Sequence, residues 1–318
     1  MPLSFLLRIL SVWLFAGAAL AQAPAPPCNV PPPPSWDEIQ AASKRPADRG
    51  FLWRIEKDGR VSWLYGTMHV GKPDWYFMGD RVRGALRQSD TLALELDMAD
   101  AATQAVFAER VPPAVLARLL TPERQRRLDR QVAAACLPSG AIAALRPVLQ
   151  VTTLAGLSVR QQGLRMEFGS EHFLTVYARS NKKPVVALES ARGQLQALIG
   201  DNEAEENAGV DDALDQLESG QMLDATARLS ESWAASNLTD LDNYRAWCDC
   251  VKTPADERAL RRLLDDRNPG LADGIAALHG KGQRVFAAVG ALHMVGAEGL
   301  PVLLAARGFA VTRVLPAP

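Results

Sequence analysis

The chain has 318 residues, of which 48% are hydrophobic, and its 35 basic and 36 acidic residues nearly cancel. A chain of this length and composition is able to bury one large core and differs clearly from disordered proteins. No dense basic stripe with interleaved aromatic residues stands out, so we expect no nucleic-acid partner. The composition therefore predicts a globular body of the size typical of an enzyme.

The first residues have the pattern of an export signal. Arg8 precedes the apolar stretch ILSVWLFAGAAL, which is short for a membrane span and ends in small residues. We predict a signal peptide over residues 1–23, cleaved after Ala21 or Ala23, and a periplasmic or secreted protein with no stable membrane span after cleavage. A retained membrane anchor is the alternative. Residues 24–35 are rich in proline, which predicts an extended tether ahead of one domain over residues 36–318.

Four cysteines fit an exported protein. Cys28, Cys136, Cys248 and Cys250 are an even set able to form two disulfides in an oxidising compartment, with three connectivities open. The close spacing of Cys248 and Cys250 disfavours a bridge between them, so we expect each to pair elsewhere. A metal site at these two cysteines is the alternative, but the sequence offers no second cysteine pair or nearby histidine to complete it.

Short apolar segments alternate with longer helical ones from residue 51 onward. FLWRIE (51–56) and VSWLYG (61–66) flank KDG and predict a hairpin. Residues 99–165 and 202–267 are rich in good helix formers. The fold class expected is α/β, with a central sheet from two pseudo-symmetric halves and large helical insertions. Further segments typical of buried strands are residues 91–97, 184–190, 284–290 and 309–315.

Two of the four histidines share one motif. His69 and His293 each follow a predicted strand in the frame Gly-x-x-His, where glycine permits a sharp turn and a close approach. Glu95 and Glu189 stand at the ends of two other predicted strands. Ligands usually bind at that edge of an α/β sheet. In the first half of the chain the Gly-x-x-His motif comes before the glutamate at a strand end, and in the second half the glutamate comes first. This order indicates a duplication in which the two histidines converge on one site.

These residue types suit metal-assisted hydrolysis. Two neutral imidazoles and one carboxylate, from His69, His293 and Glu95, leave a coordination position open for water on manganese, cobalt or zinc. A further carboxylate, Glu189 or Asp97, is expected to take the proton of that water. Asp97 is predicted to share a strand face with Glu95, because side chains alternate along a strand.

Arg267 is a further candidate for the site. It is predicted to clamp a substrate carboxylate or to stabilise an oxyanion, and a salt bridge to an acid of the preceding LLDD is the alternative. The next residue, Asn268, precedes a proline and is predicted to cap a helix that ends at Gly280.

An ordered set of motifs resembles the TraB/GumN family, which is related to the animal TIKI proteins, from about residue 50 to the end. These motifs are LYGTMHVG, ALELD, GSEHFLTVYARSNKKPVVALES, LLDDRNPGLADGI and FAAVGALHMVGAEGLPVLLAARGFAVTRV. The resemblance implies that His69, His293 and Glu95 are the shared functional residues, and that the activity is similar to the metal-dependent proteolysis of the animal members. Glu171, within GSEHF, resembles a family position for which the residues alone indicate no role.

The expected function is therefore that of an exported metal-dependent hydrolase acting on a peptide or protein. One alternative keeps these residues and drops the metal, with His69 or His293 as the base, as in the related erythromycin esterases. The other alternative is a binding protein for haem, metal or envelope components that catalyses nothing, similar to the haem-binding ChaN-like proteins. Fold-level likeness does not decide among the three.

Overall fold

The computed structural model of the protein describes residues 30–315. The predicted signal peptide and residues 24–29 of the predicted tether lie outside that range. Residues 30–35 form no helix or strand, and the first helix, α1, spans Trp36–Ser43. Ser35 caps it, because its hydroxyl accepts from the Glu38 amide while the Glu38 carboxylate accepts from the Ser35 amide. Among the described residues, regular structure thus begins at Trp36.

The predicted hairpin is confirmed. Strand β1 spans Phe51–Lys57, strand β2 spans Arg60–Thr67, and the two pair antiparallel. Asp58 and Gly59 between them have φ of 52° and 68°. Two left-handed residues in the loop match the right-handed twist of the flanking strands, which is why the Asp-Gly pair forms this turn.

The predicted α/β class with helical insertions is also confirmed. The remaining strands are β3 (Thr91–Leu94), β4 (Val185–Ala187), β5 (Val285–Gly290) and β6 (Ala310–Leu315). The described residues form a six-stranded mixed sheet in the order β4-β3-β5-β2-β1-β6. Its centre is the parallel pair β2 and β5, one strand from each half of the chain.

Helices fill the intervals between the strands from β2 onward, and those between β3 and β5 form the predicted helical insertions. No helix within residues 30–315 is long and apolar enough to cross a membrane. The helices after α1 are α2 (Pro73–Tyr76), α3 (Asp80–Gln88), α4 (Ala101–Phe107), α5 (Pro113–Leu119), α6 (Pro122–Ala134), α7 (Pro147–Ser158), α8 (Ser170–Ser180), α9 (Ala191–Ile199), α10 (Glu203–Ser219), α11 (Gln221–Ala234), α12 (Leu238–Asp242), α13 (Tyr244–Trp247), α14 (Pro254–Leu263), α15 (Asn268–Gly280) and α16 (Leu300–Ala306).

Two hydrophobic clusters hold these elements together. The larger one covers the sheet and includes Phe51, Tyr65, Phe286 and Trp233, all nearly inaccessible to solvent. The smaller one lies among α6, α7 and α10, around residues such as Leu214. The sheet cluster holds the strand ends in place, and the helical cluster makes the insertion a packed body rather than a loop.

The expectation that Cys248 and Cys250 pair elsewhere is wrong. The two are joined by a disulfide, with their Cα atoms 5.0 Å apart, within the range that disulfides span. The intervening Asp249 has φ of 52°, and this left-handed residue turns the chain so that the two thiols face each other. A disulfide is confirmed at these cysteines, but with the connectivity that the spacing argument disfavoured.

Candidate functional site

The two Gly-x-x-His motifs meet at one edge of the sheet. His69 follows the end of β2, and His293 lies in a 3-10 turn over Ala291–Met294 directly after β5. Because β2 and β5 are adjacent and parallel, with Thr67 opposite Gly290, both motifs leave the sheet at the same edge. His69 and His293 line a single cleft together with Glu95 and Arg267.

The glycines of the motifs leave room for that meeting. A Cβ atom on Gly66 would lie 3.1 Å from Cγ of Met294 and 3.3 Å from Cα of Ala291. A Cβ atom on Gly290 would lie 3.1 Å from Oε1 of Glu95. A larger residue at either position would push against the turn that carries His293 or against the site carboxylate, so both glycines serve close packing.

His293 is oriented by Asn268, the first residue of α15. The Asn268 side-chain amide donates to the carbonyl of Glu298 at 2.8 Å, so its Oδ1 faces Nδ1 of His293 at 2.6 Å. Nδ1 therefore carries the hydrogen and donates it, which leaves Nε2 as a free acceptor. Burial lowers the pKa of His293 to about 4, against the attraction of Glu95, so the ring is neutral at physiological pH.

His69 is oriented by Glu171, the second residue of α8. Its Nδ1 lies 2.8 Å from Oε1 of Glu171, while 75% of the His69 side chain faces open space in the cleft. The Glu171 carboxylate raises the pKa of His69 to about 9, so this ring is protonated at neutral pH. The two motif histidines thus carry different charges, because the Glu171 carboxylate raises the pKa of His69 while burial lowers the pKa of His293.

Replacing Glu171 with Gln is expected to lower the pKa of His69 from about 9 towards the ordinary value near 6.5. In the wild type the raised pKa stabilises the fold below about pH 6.5, and this stabilisation is lost as pH rises through about 9. E171Q removes that dependence. An NMR titration of the His69 ring, assigned with a His69→Gln variant, measures the change, and an unaltered midpoint in E171Q would contradict the pairing.

Glu95 and Glu189 share one arginine. The Arg267 guanidinium donates to Oε2 of Glu95 at 2.5 Å and to both oxygens of Glu189 at 2.9 and 2.5 Å. Gln194 also donates to both carboxylates, and the Gly290 amide donates to Oε1 of Glu95 at 2.7 Å. Burial alone would raise the pKa of Glu95, but the imidazoles, the guanidinium and this amide more than offset it, so the pKa falls to about 2.

The structure does not bring Asp97 into this group. Strand β3 ends at Leu94, so the alternation that predicts a shared face for Glu95 and Asp97 does not extend to them. The Asp97 carboxylate instead accepts from Arg179 on α8 at 2.8 and 3.0 Å. Glu189 reaches the group through Arg267, and its Ser190 neighbour caps α9.

The donor set fits a divalent metal in part. Nδ1 of His293 is hydrogen-bonded to Oδ1 of Asn268, and Nδ1 of His69 is paired with the Glu171 carboxylate. Neither Nε2 atom has a bonding partner among the described residues, and metal-ligating histidines usually have this arrangement. Oε1 of Glu95 accepts from one backbone amide and keeps a lone pair. Within residues 30–315, however, no three His, Cys, Asp or Glu side chains are close enough to hold a metal ion as they stand. Ligation by His69, His293 and Glu95 therefore requires their side chains to move together.

Sequence reasoning missed three residues of the site. The sequence indicates no role for Glu171, predicts Asn268 only as a helix cap, and gives no sign of Gln194. Helix α15 does span Asn268–Gly280, but the Asn268 side chain serves His293 rather than its own helix. Glu171 and Asn268 both stand in the first turn of a helix, a position that indicates a cap and not a contact with a distant histidine.

Comparisons with known proteins match most of this chain to one family. A family model described as TraB/PrgY/gumN matches residues 51–313. YbaP of Shigella flexneri is 25% identical over 246 residues, covering 77% of this chain and 88% of YbaP. YbaP of Escherichia coli (strain K12) is 24% identical over 242 residues, covering 76% and 86%. Both are described as uncharacterized proteins, and no solved structure matches.

Proposed function

The chain belongs to the TraB/PrgY/gumN family, and from its site we propose that it is a metal-dependent hydrolase acting on peptides. One observation carries the proposal: His69 and His293 line a single cleft, each with Nδ1 held and Nε2 free. His69 and His293 would hold the ion, with Glu95 as the third ligand. When bound, a divalent ion polarises the substrate carbonyl and lowers the pKa of water.

The protein groups around this set have separate tasks. Asn268 and Glu171 keep the two imidazoles in the orientation that presents Nε2. Arg267 and Gln194 hold Glu95 against the strand ends, and the Gly290 amide keeps Oε1 in place. Because His69 is protonated at neutral pH, an ion has to displace a proton from it, so we propose that metal affinity increases with pH up to about 9.

The test is the metal content of the chain from residue 24, purified without a histidine tag or chelator and measured by elemental mass spectrometry. We expect about one ion per wild-type chain, a stoichiometric loss in His69→Ala and in His293→Ala, and hydrolysis of a peptide library only by the loaded wild type. His172→Ala is the matched control, because His172 is exposed and bonded to Tyr76 rather than to a cleft residue.

Absence of any metal after incubation with manganese, cobalt and zinc would contradict the proposal. Unchanged metal content in both cleft variants would contradict the assignment of the ligands. A chain that retains metal or haem without hydrolysing any peptide would support the binding-protein alternative instead.

A second function, hydrolysis without a metal, is favoured by the opposite pKa shifts of the two histidines. A raised pKa for His69 suits a general acid, and a lowered pKa for His293 suits a general base, and paired groups with divergent pKa values are typical of acid–base catalysis. In this mechanism His293 takes a proton from water and His69 gives one to the leaving group. Activity that survives exhaustive chelation but is lost in both alanine variants would support it.

We also propose that the chain works outside the cytoplasm. The signal-like residues 1–23 support export, and the disulfide between Cys248 and Cys250 suits an oxidising compartment. Fractionation of cells that express the full chain tests this, and retention of the full-length chain in the cytoplasm would contradict it.

A further inference from the structure

The cleft that contains the two histidines has aliphatic lining as well as polar lining. Helix α11 supplies one leucine, the end of α14 and the residue after it supply two more, and the turn that carries His293 supplies another. These four leucines are Leu229, Leu263, Leu264 and Leu292.

Leu263 and Leu264 contribute little to the folded core. Both are half-buried, and within residues 30–315 neither packs against the sheet cluster or the helical cluster. Leu229 and Leu292, in contrast, pack against the sheet cluster. Helix α14 ends at Leu263, and Leu264 leads into a 3-10 turn over Asp265–Arg267. Aliphatic surface left open beside a polar site is available for a ligand to bury.

The backbone at Leu263 also helps to fix Arg267, the guanidinium that lines the cleft. Arg267 donates to the carbonyl of Leu263 at 2.8 Å as well as to the carboxylates of Glu95 and Glu189. Its charge is therefore already balanced within the protein and is not poised to bind a substrate carboxylate. The part of the substrate that lies next to Arg267 is accordingly uncharged, as an internal peptide carbonyl is.

We infer that the cleft selects peptides with an aliphatic side chain beside the bond that is hydrolysed, and that Leu263 and Leu264 are its specificity-determining residues. This inference rests on the proposed function, because it takes the histidine cleft as the place where the bond is cut. Burial of a leucine-sized side chain against two open leucines removes apolar surface of both partners from water, and a serine or aspartate in its place would gain nothing there.

Binding is tested first, without any need for turnover. N-acetyl-leucinamide and N-acetyl-serinamide are titrated into the chain from residue 24, and binding is followed by NMR. We expect saturable binding of the leucine probe at the resonances of His69 and His293, and about tenfold weaker binding in Leu263→Ser and in Leu264→Ser. Val302→Ser is the matched control, because Val302 is 51% exposed on α16 and does not line the cleft.

Turnover is tested separately, with fluorogenic peptides that differ only in leucine or serine beside the central bond. We expect the leucine peptide to be preferred about tenfold in kcat/KM, with the preference lost in both leucine variants. A set of p-nitrophenyl esters of increasing acyl length tests whether the aliphatic preference belongs to an ester substrate instead of a peptide. A preference confined to long-chain esters would overturn the peptide assignment.

Equal binding of the leucine and serine probes by the wild type would overturn the inference, whatever the variants do. Unchanged leucine binding in both variants would also overturn it. Selective leucine binding without any hydrolysis would confirm the aliphatic subsite and contradict the proposed hydrolase, so the two claims fail separately.

Discussion

Replacement of Arg267 with Met is expected to cost about 3–5 kcal/mol of unfolding free energy. The side chains of Arg267, Glu95 and Glu189 are only 17%, 14% and 16% exposed, so removal of the guanidinium leaves two poorly solvated carboxylates without their counter-charge. Denaturant unfolding at pH 7 measures the loss. Activity should also disappear, because Glu95 is no longer held at the strand ends.

The pH dependence of this loss identifies its cause. In the wild type Glu95 has a lowered pKa, so its contribution to stability is present above its ordinary pKa and is lost as pH falls towards about 2. In R267M the Glu95 carboxylate should protonate more readily, and the difference in unfolding free energy from the wild type should narrow between pH 7 and pH 4. Adding Glu189→Gln to R267M should recover part of the stability. A gap that stays constant with pH would contradict a charge-based loss.

Replacement of Trp233 with Ala is expected to cost about 3–5 kcal/mol and to impair the site from a distance. Trp233 on α11 is 1% exposed and belongs to the sheet cluster. Its indole nitrogen donates to the carbonyl of Gly66 at 2.8 Å, directly at the first Gly-x-x-His motif. The substitution therefore leaves a large cavity and releases the strand end that precedes His69.

Trp233→Phe separates the two contributions. It keeps most of the packing and loses the hydrogen bond, so we expect a loss of about 1 kcal/mol for the bond plus a smaller packing cost. Denaturant unfolding measures stability, and the NMR resonances of His69 report the position of the motif. A His69 environment that is unchanged in W233A would show that the indole has no part in positioning the site.

The strand ends of the site were predictable from local patterns, and its helix-borne partners were not. Residues 51–66 encode a hairpin through alternation and an Asp-Gly turn, and the segment before His293 is a continuous apolar run. Such patterns place His69, Glu95 and His293 at strand ends, because a strand end is a local property of the chain.

The partners of the histidines depend on tertiary packing. Glu171 meets His69 only because the start of α8 is hydrogen-bonded to Met68, through the Ser170 amide at 2.9 Å and the Ser170 hydroxyl at 2.8 Å. Asn268 meets His293 only because α15 packs beside β5 and the turn that follows it. Nothing within a few residues of Glu171 or Asn268 determines those contacts. The Asp97 prediction failed for a related reason: an apolar run indicates a strand but not its last residue, and β3 is shorter than the run.

The parallel pair of β2 and β5 has a consequence for any ligand of the cleft. His69 follows a strand near the start of the folded body, and His293 follows a strand near its end. The two strands lie side by side, with Trp63 opposite Phe286. A ligand held by both histidines would act as a reversible crosslink that closes the chain between His69 and His293 into one loop. It would therefore raise the unfolding free energy of the entire sheet with the logarithm of its concentration above the dissociation constant, and amide exchange would slow along β2 and β5 together.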